Sequence, residues 1–324
     1  MPSLLNPDVA ALLREAEQAP IFDLDTSDHS VTSDYHSVVA AARTKFDPAV
    51  DRMRGPFDLA SWQVDVRDDA LKLPHSTPIR IYEPVELSRP ATTMVYFHGG
   101  GWVLGNLDTL DPELRWFSHR LGCKIVAVDY RLAPEHPYPA AFLDCLGVVQ
   151  KLHGLWPDER LCVSGDSAGG NLAAAVGIAC RDLGIPLVGQ LLIYPAVDPT
   201  QGHPSHDQYA QGYLLTRADM AMYWACYLPD RRTWATPTAA PLVEADLSRV
   251  APAVVVTAGF DPLSDEGHAY AARLRLSGVR AEHLRSPGLP HGFITMTGRI
   301  PVAAAAVEQF LFHFADVIDS GPQG

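Results

Sequence analysis

The stretch RLCVSGDSAGGNLAAAV, residues 160–176, decides the fold. It begins as a short, largely apolar run that is typical of a buried strand, and it ends rich in alanine, as helices are. Between the two lies G-x-S-x-G, with Ser167 at its centre and small residues on both sides. A sharp strand-to-helix turn needs such small neighbours and exposes the serine hydroxyl. The sequence therefore predicts a nucleophilic serine at the carboxyl end of a strand.

The rest of the chain continues the same alternation of strand and helix. The patterns predict helices at 139–153, 168–182, 264–277 and 302–318, a short strand near 279–284, and five buried strands in TMVYF, KIVAVDY, RLCVSG, VGQLLIYP and AVVVTAG. Such runs, separated by helices, indicate right-handed crossovers and a mostly parallel sheet. Alternating apolar residues at Trp62, Val64 and Val66, and again at 79–82, predict an antiparallel edge. The fold class is α/β.

Two segments fall outside this alternation and are interpreted as a helical cap. Residues 1–55 have helical apolar spacing, first at Leu4, Leu5, Val9, Leu12 and Leu13, then at Val38, Val39, Ala42 and Phe46. Residues from about 198 to 235 interrupt the strands and include a helical pattern at 217–228. We therefore expect an N-terminal cap segment at 1–55 and a catalytic domain at 56–320 that carries the inserted cap segment.

A glycine-rich loop follows the strand TMVYF. The sequence HGGGW places Gly99, Gly100 and Gly101 at the end of that strand. Acyl transfer places negative charge on the carbonyl oxygen, and backbone N–H groups fixed in advance stabilise it. We expect the three glycines and Ala168, the residue after the nucleophile, to form this oxyanion hole. His98 is expected to anchor the loop.

The predicted base is His291. It lies in PHGF, between the last predicted strand and the final helix, which is the place of the histidine in the chain order serine, acid, histidine. Most of the other histidines are in helices, in the N-terminal segment or in the cap insertion. His203 and His206 have a spacing that could hold a metal, but surface polar roles are the simpler interpretation, and no metal is expected.

The predicted acid is Asp261, which follows the strand AVVVTAGF. A carboxylate at this place accepts the Nδ1–H of the base and stabilises the imidazolium. Asp265, one helical turn later, is the alternative, although it would also compensate the charge of a helix N-terminus. Five residues are candidates for the substrate pocket, namely Trp102, Asp166, Tyr194, Tyr213 and Leu214. For all of them except Asp166, plain core packing is the other interpretation.

These motifs together resemble the hormone-sensitive-lipase-like branch of the α/β-hydrolases, the bacterial esterases marked by HGGG and GDSAGGN. The resemblance covers about residues 92–318, through HGGGWVLGNLDTLD, VDYRLAPEHPYPAAFLD, SGDSAGGNLAAA, LIYP, GYLLT, DPLSDEG and PHGF. It implies an acidic residue before the nucleophile, matched by Asp166, oxyanion donors at Gly100 and Gly101 with Gly99 shaping the turn, and a helical cap over the acyl pocket. It also implies short to medium acyl esters as substrates.

The predicted activity is therefore ester hydrolysis through an acyl-enzyme, with no cofactor. Amide, lactone or acetyl-conjugate hydrolysis with the same three residues remains open. A ligand-binding pseudoenzyme is disfavoured because the plant gibberellin receptor, which resembles this family, lacks the histidine that is present here. An acyltransferase is a further alternative.

Composition limits the partners. The chain has 324 residues and a formal net charge of −13, which opposes binding to nucleic acid and to anionic lipid surfaces. Its five cysteines have no CxxC spacing and are expected to be free and buried. We expect no basic, apolar leader at the N-terminus and no stretch that approaches the roughly 18 to 20 apolar residues that a membrane span needs, so we predict a cytoplasmic location. The predicted partners are a small-molecule ester and a second copy of this chain in a homodimer.

Overall fold

The computed structural model describes residues 5–18, 21, 35–89 and 92–320. An eight-stranded sheet runs through it in the order β1-β2-β4-β3-β5-β6-β7-β8. The strands are β1 (Val64–Lys72), β2 (Ser76–Pro84), β3 (Thr92–Phe97), β4 (Lys124–Val128), β5 (Arg160–Asp166), β6 (Leu187–Ile193), β7 (Ala253–Phe260) and β8 (Ala281–Pro290). The α/β class predicted from the sequence is confirmed.

The direction of the strands follows the residue patterns. Strands β3 to β8 pair in parallel, and β3, β6 and β7 are buried along their whole length because helices cover both faces. Strand β1 pairs with β2 in antiparallel fashion, and β2 does so with β4. The antiparallel edge predicted from the alternation at 62–66 and 79–82 is thus present.

The described residues contain nine α-helices. They are α1 (Pro7–Glu17), α2 (Tyr35–Arg54), α3 (Asp111–Leu121), α4 (Ala140–Leu155), α5 (Ala168–Leu183), α6 (Pro204–Gln208), α7 (Arg217–Tyr227), α8 (Ser264–Leu276) and α9 (Pro301–Ser320). Four 3₁₀ turns lie at Leu59–Trp62, Arg231–Ala235, Pro241–Val243 and Phe293–Met296. Helices α3 and α6 were not predicted from the sequence. Helices α4, α5, α7, α8 and α9 begin and end within a few residues of their predicted bounds.

The N-terminal helices bury the apolar faces that their spacing predicts. In α1 the side chains of Val9, Leu12 and Leu13 are buried, and Asn6 caps the helix by accepting the N–H of Asp8 at 2.9 Å. In α2 the buried side chains include Val39 and Ala42, while Val38 and Phe46 are partly buried. Leu4, which was expected to belong to the first apolar face, lies outside the described residues.

One expectation about membranes is wrong. Helix α9 has the length and the apolar composition that would allow it to cross a membrane. Seven of its side chains are nevertheless buried, and the helix packs on β6 and β7. Length and composition do not distinguish such a core helix from a membrane span.

The five cysteines agree with the sequence analysis. Cys123, Cys145, Cys162, Cys180 and Cys226 are all buried and free. Burial raises the pKa of each thiol, so the uncharged form is favoured. They pack as small apolar side chains.

Candidate active site

Ser167 lies in the turn between β5 and α5. Its φ is 57° and its ψ is −118°, a conformation that is unusual for a non-glycine residue and stores strain. A Cβ at Gly165 would collide with the backbone of Gly169 and Phe97, so the tight turn requires glycine there. The turn is held by the Ser167 N–H, which donates to the Ile193 carbonyl at 2.8 Å. The side chain thus stands at the carboxyl end of the sheet.

Ser167 is linked to two side chains that follow the ends of β8 and β7. The Nε2 of His291 lies 2.9 Å from the Ser167 Oγ, and the Nδ1 of His291 lies 2.8 Å from the Asp261 Oδ2. Because a carboxylate only accepts, Nδ1 donates to Asp261, which leaves Nε2 free to accept the serine proton. The Asp261 side chain is fully buried, and its other oxygen accepts the N–H of Leu263 at 2.8 Å. The structure therefore brings the three predicted residues into one hydrogen-bonded row.

The alternative acid points elsewhere. The Oδ2 of Asp265 accepts the backbone N–H of Ser205 at 2.9 Å, and the Asp265 N–H donates to the Ser205 hydroxyl at 3.3 Å. Asp265 therefore attaches α8 to α6, and Asp261 is the carboxylate that contacts the histidine.

The glycine loop borders the same site. Gly100 and Gly101 have φ values of +110° and +60°, and a Cβ on either would collide with Leu104 or with the ring of Tyr223. In the described part of the chain, no acceptor contacts the N–H of Gly100, Gly101 or Ala168. Ala168 is the first residue of α5, where an N–H has no partner within the helix.

Gly99 differs from its two neighbours. Its N–H donates to the Oδ1 of Asp166 at 2.8 Å and is therefore not available to a substrate oxygen. This corrects the inclusion of Gly99 among the oxyanion donors, and it agrees with the role in shaping the turn that the family resemblance implies. The Tyr96 hydroxyl donates to the same carboxylate oxygen at 2.9 Å. Burial raises the pKa of Asp166 to about 6, against the lowering effect of these donors and of His291.

His98 anchors the loop, as expected from the sequence. Its Nδ1 donates to the Gly99 carbonyl at 2.7 Å, and its ring stacks on Tyr130 at 4.3 Å between centroids. The Tyr130 hydroxyl donates to the His98 carbonyl at 2.7 Å. Burial lowers the pKa of His98 to about 4, so the ring is neutral near pH 7.

A cavity of about 490 Å³ opens at Ser167 and His291. It is mainly apolar, and α1 and α2 form much of its wall. Gly100 and Gly101 border it on the side of the sheet. The apolar wall includes Leu12, Leu13, Phe46, Ala49, Val50, Met53, Leu214 and Leu215. Its size and lining suit a small, mostly apolar organic molecule.

Comparison with known proteins agrees with this geometry. Residues 94–295 match the model of a protein family whose members have the alpha/beta hydrolase fold. The carboxylesterase NlhH of Mycobacterium tuberculosis is 39% identical over 246 residues, which cover 71% of this chain and 75% of that protein. The ethyl acetate hydrolase of Pseudomonas putida is 33% identical over 307 residues, 90% of this chain and 92% of that protein.

The chain belongs to the alpha/beta hydrolase family. Its resemblance to the hormone-sensitive-lipase-like branch is confirmed, and it is a carboxylic ester hydrolase. Among solved structures, a thermostable esterase from Pseudomonas putida ECU1011 has a TM-score of 0.86 and 28% identity, and the alignment covers 100% of this chain and 99% of that one.

Two of the five pocket residues predicted for this hydrolase line its cavity, namely Asp166 and Leu214. Trp102 does not, because its fully buried ring stacks on Tyr227 and packs on Trp224, each at 4.4 Å between centroids. It is a core residue. An aromatic side chain next to a motif can point to either side of the loop, and the letters alone do not distinguish the two.

Tyr194 and Tyr213 also lie outside the cavity lining. The Tyr194 ring packs on His291 at 4.5 Å between centroids and is almost fully buried, so it supports the histidine. Tyr213 packs on Phe260 at 5.0 Å. Leu214 lines the cavity from a strained position, with a φ of 76°.

The two histidines of the inserted segment are not both at the surface. His206 is fully buried, and its Nε2 lies 2.8 Å from Glu266, whereas the Nε2 of His203 lies 3.4 Å from Asp198. The surface interpretation is therefore wrong for His206. No group of three or more metal-binding side chains occurs in the residues described.

The sequence predicted a cap segment at 1–55 but did not indicate which residues of α1 and α2 line the cavity. It also gave no role to Tyr96. The signal for Tyr96 was present, because its hydroxyl lies near the end of a fully buried strand, two residues before His98 and the glycine loop. The charged residues of α2 were not considered either, although they contact that loop.

Proposed function

We propose that this carboxylesterase uses Ser167 as nucleophile, His291 as general base and acid, and Asp261 as the carboxylate that orients the histidine. The observation that carries the proposal is the hydrogen-bonded row from Asp261 through His291 to Ser167, which ends in an apolar cavity. Both contacts have the length of good hydrogen bonds. This is the arrangement that acyl transfer through serine requires.

The first half of the reaction forms an acyl-enzyme. The Ser167 Oγ attacks the ester carbonyl while its proton moves to the His291 Nε2, and Asp261 stabilises the imidazolium. The N–H groups of Gly100, Gly101 and Ala168 receive the negative charge of the carbonyl oxygen. The C–O bond to the alcohol then breaks, and the alcohol leaves with the proton from His291.

The second half restores the enzyme. Water gives a proton to the His291 Nε2 and attacks the acyl carbon on Ser167. The tetrahedral intermediate collapses, the carboxylic acid leaves, and the proton returns to the Ser167 oxygen. Apart from the ester and the water molecule, these steps use side chains and backbone groups of this chain.

The substrate class follows from the shape of the cavity. The space of about 490 Å³ beneath α1 and α2 suits an ester with a short to medium acyl chain. In this proposal, residues 1–55 act as an N-terminal cap segment, residues 56–320 form the catalytic domain, and residues from about 198 to 235 supply the inserted part of the cap. Gly212, Leu214 and Ala218 of that insertion line the cavity.

The decisive experiment is labelling with a fluorophosphonate probe, which reacts with an activated serine. The wild-type protein is expected to be labelled, and Ser167→Ala is expected to lose the label and about a million-fold in turnover, with folding intact. A Ser167→Ala variant that keeps much of its turnover would refute the assignment. Rates across acyl chains from acetyl upward, together with one amide and one lactone, test the bond class, and transfer to added alcohols tests for an acyltransferase.

The remaining partner and location expectations form part of the same proposal. A net charge of −13 disfavours nucleic acid and anionic membranes as partners. Cytoplasmic location and a homodimer stay predictions, which cell fractionation and light scattering coupled to size exclusion would test.

A further inference from the structure

Helix α2 contacts the glycine loop through a charged side chain as well as lining the cavity. The Nε of Arg43 donates to the Val103 carbonyl at 2.9 Å, and its Nη2 donates to the Ala133 carbonyl at 2.9 Å. Glu135 holds the same guanidinium with two hydrogen bonds of 2.8 Å. The guanidinium is thereby fixed in one orientation by a carboxylate and two carbonyls.

The Val103 carbonyl is connected to a predicted oxyanion donor, the Gly101 N–H, by one hydrogen bond between two peptide units. It belongs to the same peptide unit as the Leu104 N–H, which donates to the Gly100 carbonyl at 2.9 Å. The Val103 N–H donates to that carbonyl as well, at 3.1 Å. The Gly100 carbonyl in turn belongs to the same peptide unit as the Gly101 N–H.

Planar trans peptides turn these contacts into a directed row. In each unit the N–H points opposite to the C=O, so a carbonyl held toward Val103 and Leu104 makes the Gly101 N–H point away from them. Gly101 borders the cavity that contains Ser167. The row thus runs from the Arg43 cation through two peptide units to the Gly101 N–H, and hydrogen bonds in such rows polarise one another.

We propose that Arg43 is a positioning residue for the oxyanion hole, acting on the Gly101 N–H through the Val103–Leu104 and Gly100–Gly101 peptides. The inference rests on the proposed function, because it requires that the Gly101 N–H receives the charge of the reacting carbonyl oxygen. The cation contributes orientation, and its charge makes that N–H a stronger donor. Charge on the substrate oxygen is largest in the tetrahedral state, so Arg43 should matter more to that state than to substrate binding.

Other side chains of α2 hold the far end of the same loop. The carboxylate of Asp47 accepts the Asn106 side-chain amide at 2.9 Å and the Thr109 hydroxyl at 2.8 Å. Arg54 donates to the Thr109 carbonyl and, at 2.8 Å, to the buried Glu113. These contacts fix the loop after the peptide row, whereas Arg43 contacts the row itself.

The test compares Arg43→Met with Arg89→Met. Arg89 makes contacts of the same kind with residues distant in sequence, since it binds Asp319 with two hydrogen bonds and donates to the Leu121 carbonyl at 2.6 Å. Arg89 does not line the cavity. We expect Arg43→Met to lower kcat about tenfold on p-nitrophenyl acetate with KM within about twofold, a smaller loss than removal of an oxyanion donor. Arg89→Met is expected to keep kcat, and Arg43→Lys to recover part of it.

Two inhibitors separate positioning from a general loss of structure. A trifluoromethyl ketone adds to the serine and places an oxyanion in the hole, so Arg43→Met should weaken its binding by the same factor as kcat. The matching methyl ketone, which stays a ketone, should bind as before. If Arg43→Met does not fold, Arg43→Gln, whose side chain is too short to reach Val103, replaces it with the same expected results.

Unchanged kcat and trifluoromethyl ketone affinity in the Arg43 variant, or equal losses in the Arg89 variant, would overturn the inference. Failure of the proposed function would look different, because Ser167→Ala would then keep its turnover and its fluorophosphonate label. The two failures can therefore be distinguished from each other.

Discussion

The carboxylate of Asp166 accepts the backbone N–H of Gly99 at 2.8 Å, so the residue before the proposed nucleophile holds the loop that carries the proposed oxyanion donors. The same oxygen accepts the Tyr96 hydroxyl at 2.9 Å. Asp166 is buried, and its two donors would have no acceptor without it. The GDSAG and HGGG motifs are therefore joined by a side-chain contact as well as by lying at neighbouring strand ends.

Replacing Asp166 should damage both folding and rate. Asp166→Ala leaves the Gly99 N–H and the Tyr96 hydroxyl unpaired, and each buried unpaired group costs about 1–3 kcal/mol of unfolding free energy. We expect kcat to fall about tenfold as the glycine loop loosens. Asp166→Asn keeps an acceptor oxygen and should lie between Ala and wild type. Urea unfolding and steady-state kinetics measure both effects, and an alanine variant equal to wild type in both would contradict this role.

The proposed acid can be distinguished from its neighbour by paired substitutions. Asp261→Asn should lower kcat about ten-thousand-fold, because the amide no longer holds His291 in the required tautomer. Asp265→Asn keeps an acceptor oxygen for the Ser205 N–H and should change kcat less than tenfold. Kinetics on one soluble ester suffices. Equal losses in the two variants, or a larger loss in the second, would point to a different acid.

Acid should destabilise the fold through His98. Burial lowers the pKa of His98 from 6.5 in the unfolded chain to about 4 in the folded protein. As the pH falls below 6.5, the unfolded chain takes up a proton first, so the folded protein loses stability. From pH 7 to pH 5 this loss is roughly 1–2 kcal/mol, by the relation between pKa and free energy.

His98→Asn tests this pH dependence. Its amide nitrogen can replace Nδ1 as donor to Gly99, but it does not titrate. The variant should be less stable than wild type at pH 7, with a difference that narrows toward pH 5. Urea unfolding at several pH values between 7 and 5 provides the measurement. A constant difference across this range would exclude His98 as a source of acid sensitivity.

The wall formed by α2 should set the acyl chain length. Ala49 borders the cavity, so Ala49→Phe should lower kcat/KM for hexanoate more than tenfold relative to acetate, since the added ring takes up space that the longer chain needs. Ala41→Phe makes the same change on the exposed side of the helix and should leave the ratio unaltered. A series of p-nitrophenyl esters from two to eight carbons reports the shift. If both variants give the wild-type ratio, the acyl chain lies elsewhere.

The fold and the hydrogen-bonded row of Asp261, His291 and Ser167 could be predicted because they depend on short, ordered patterns. The glycines around Ser167 are required by a turn that admits no side chain, and Asp261 and His291 follow strands whose ends must meet at one edge of a parallel sheet. Local sequence carries all of this information.

The remaining parts of the site depend on contacts between distant segments. His206 is buried because Glu266, on another helix, supplies its partner. Trp102 points into the core because Trp224 and Tyr227 lie there, and α7, which carries both, is far along the chain. Arg43 reaches Val103 across the packing of α2 on the loop. No spacing rule encodes such pairings.

The cavity wall that α1 and α2 provide lies outside the part of the chain that matches the family. Leu12, Leu13, Val50 and Met53 precede residue 94, where the family match begins. Mutations in these helices can therefore change which acids are released from their esters while the inherited bond-breaking apparatus stays as it is. Two relatives of this protein can therefore have the same residues around the reacting bond and still hydrolyse different esters.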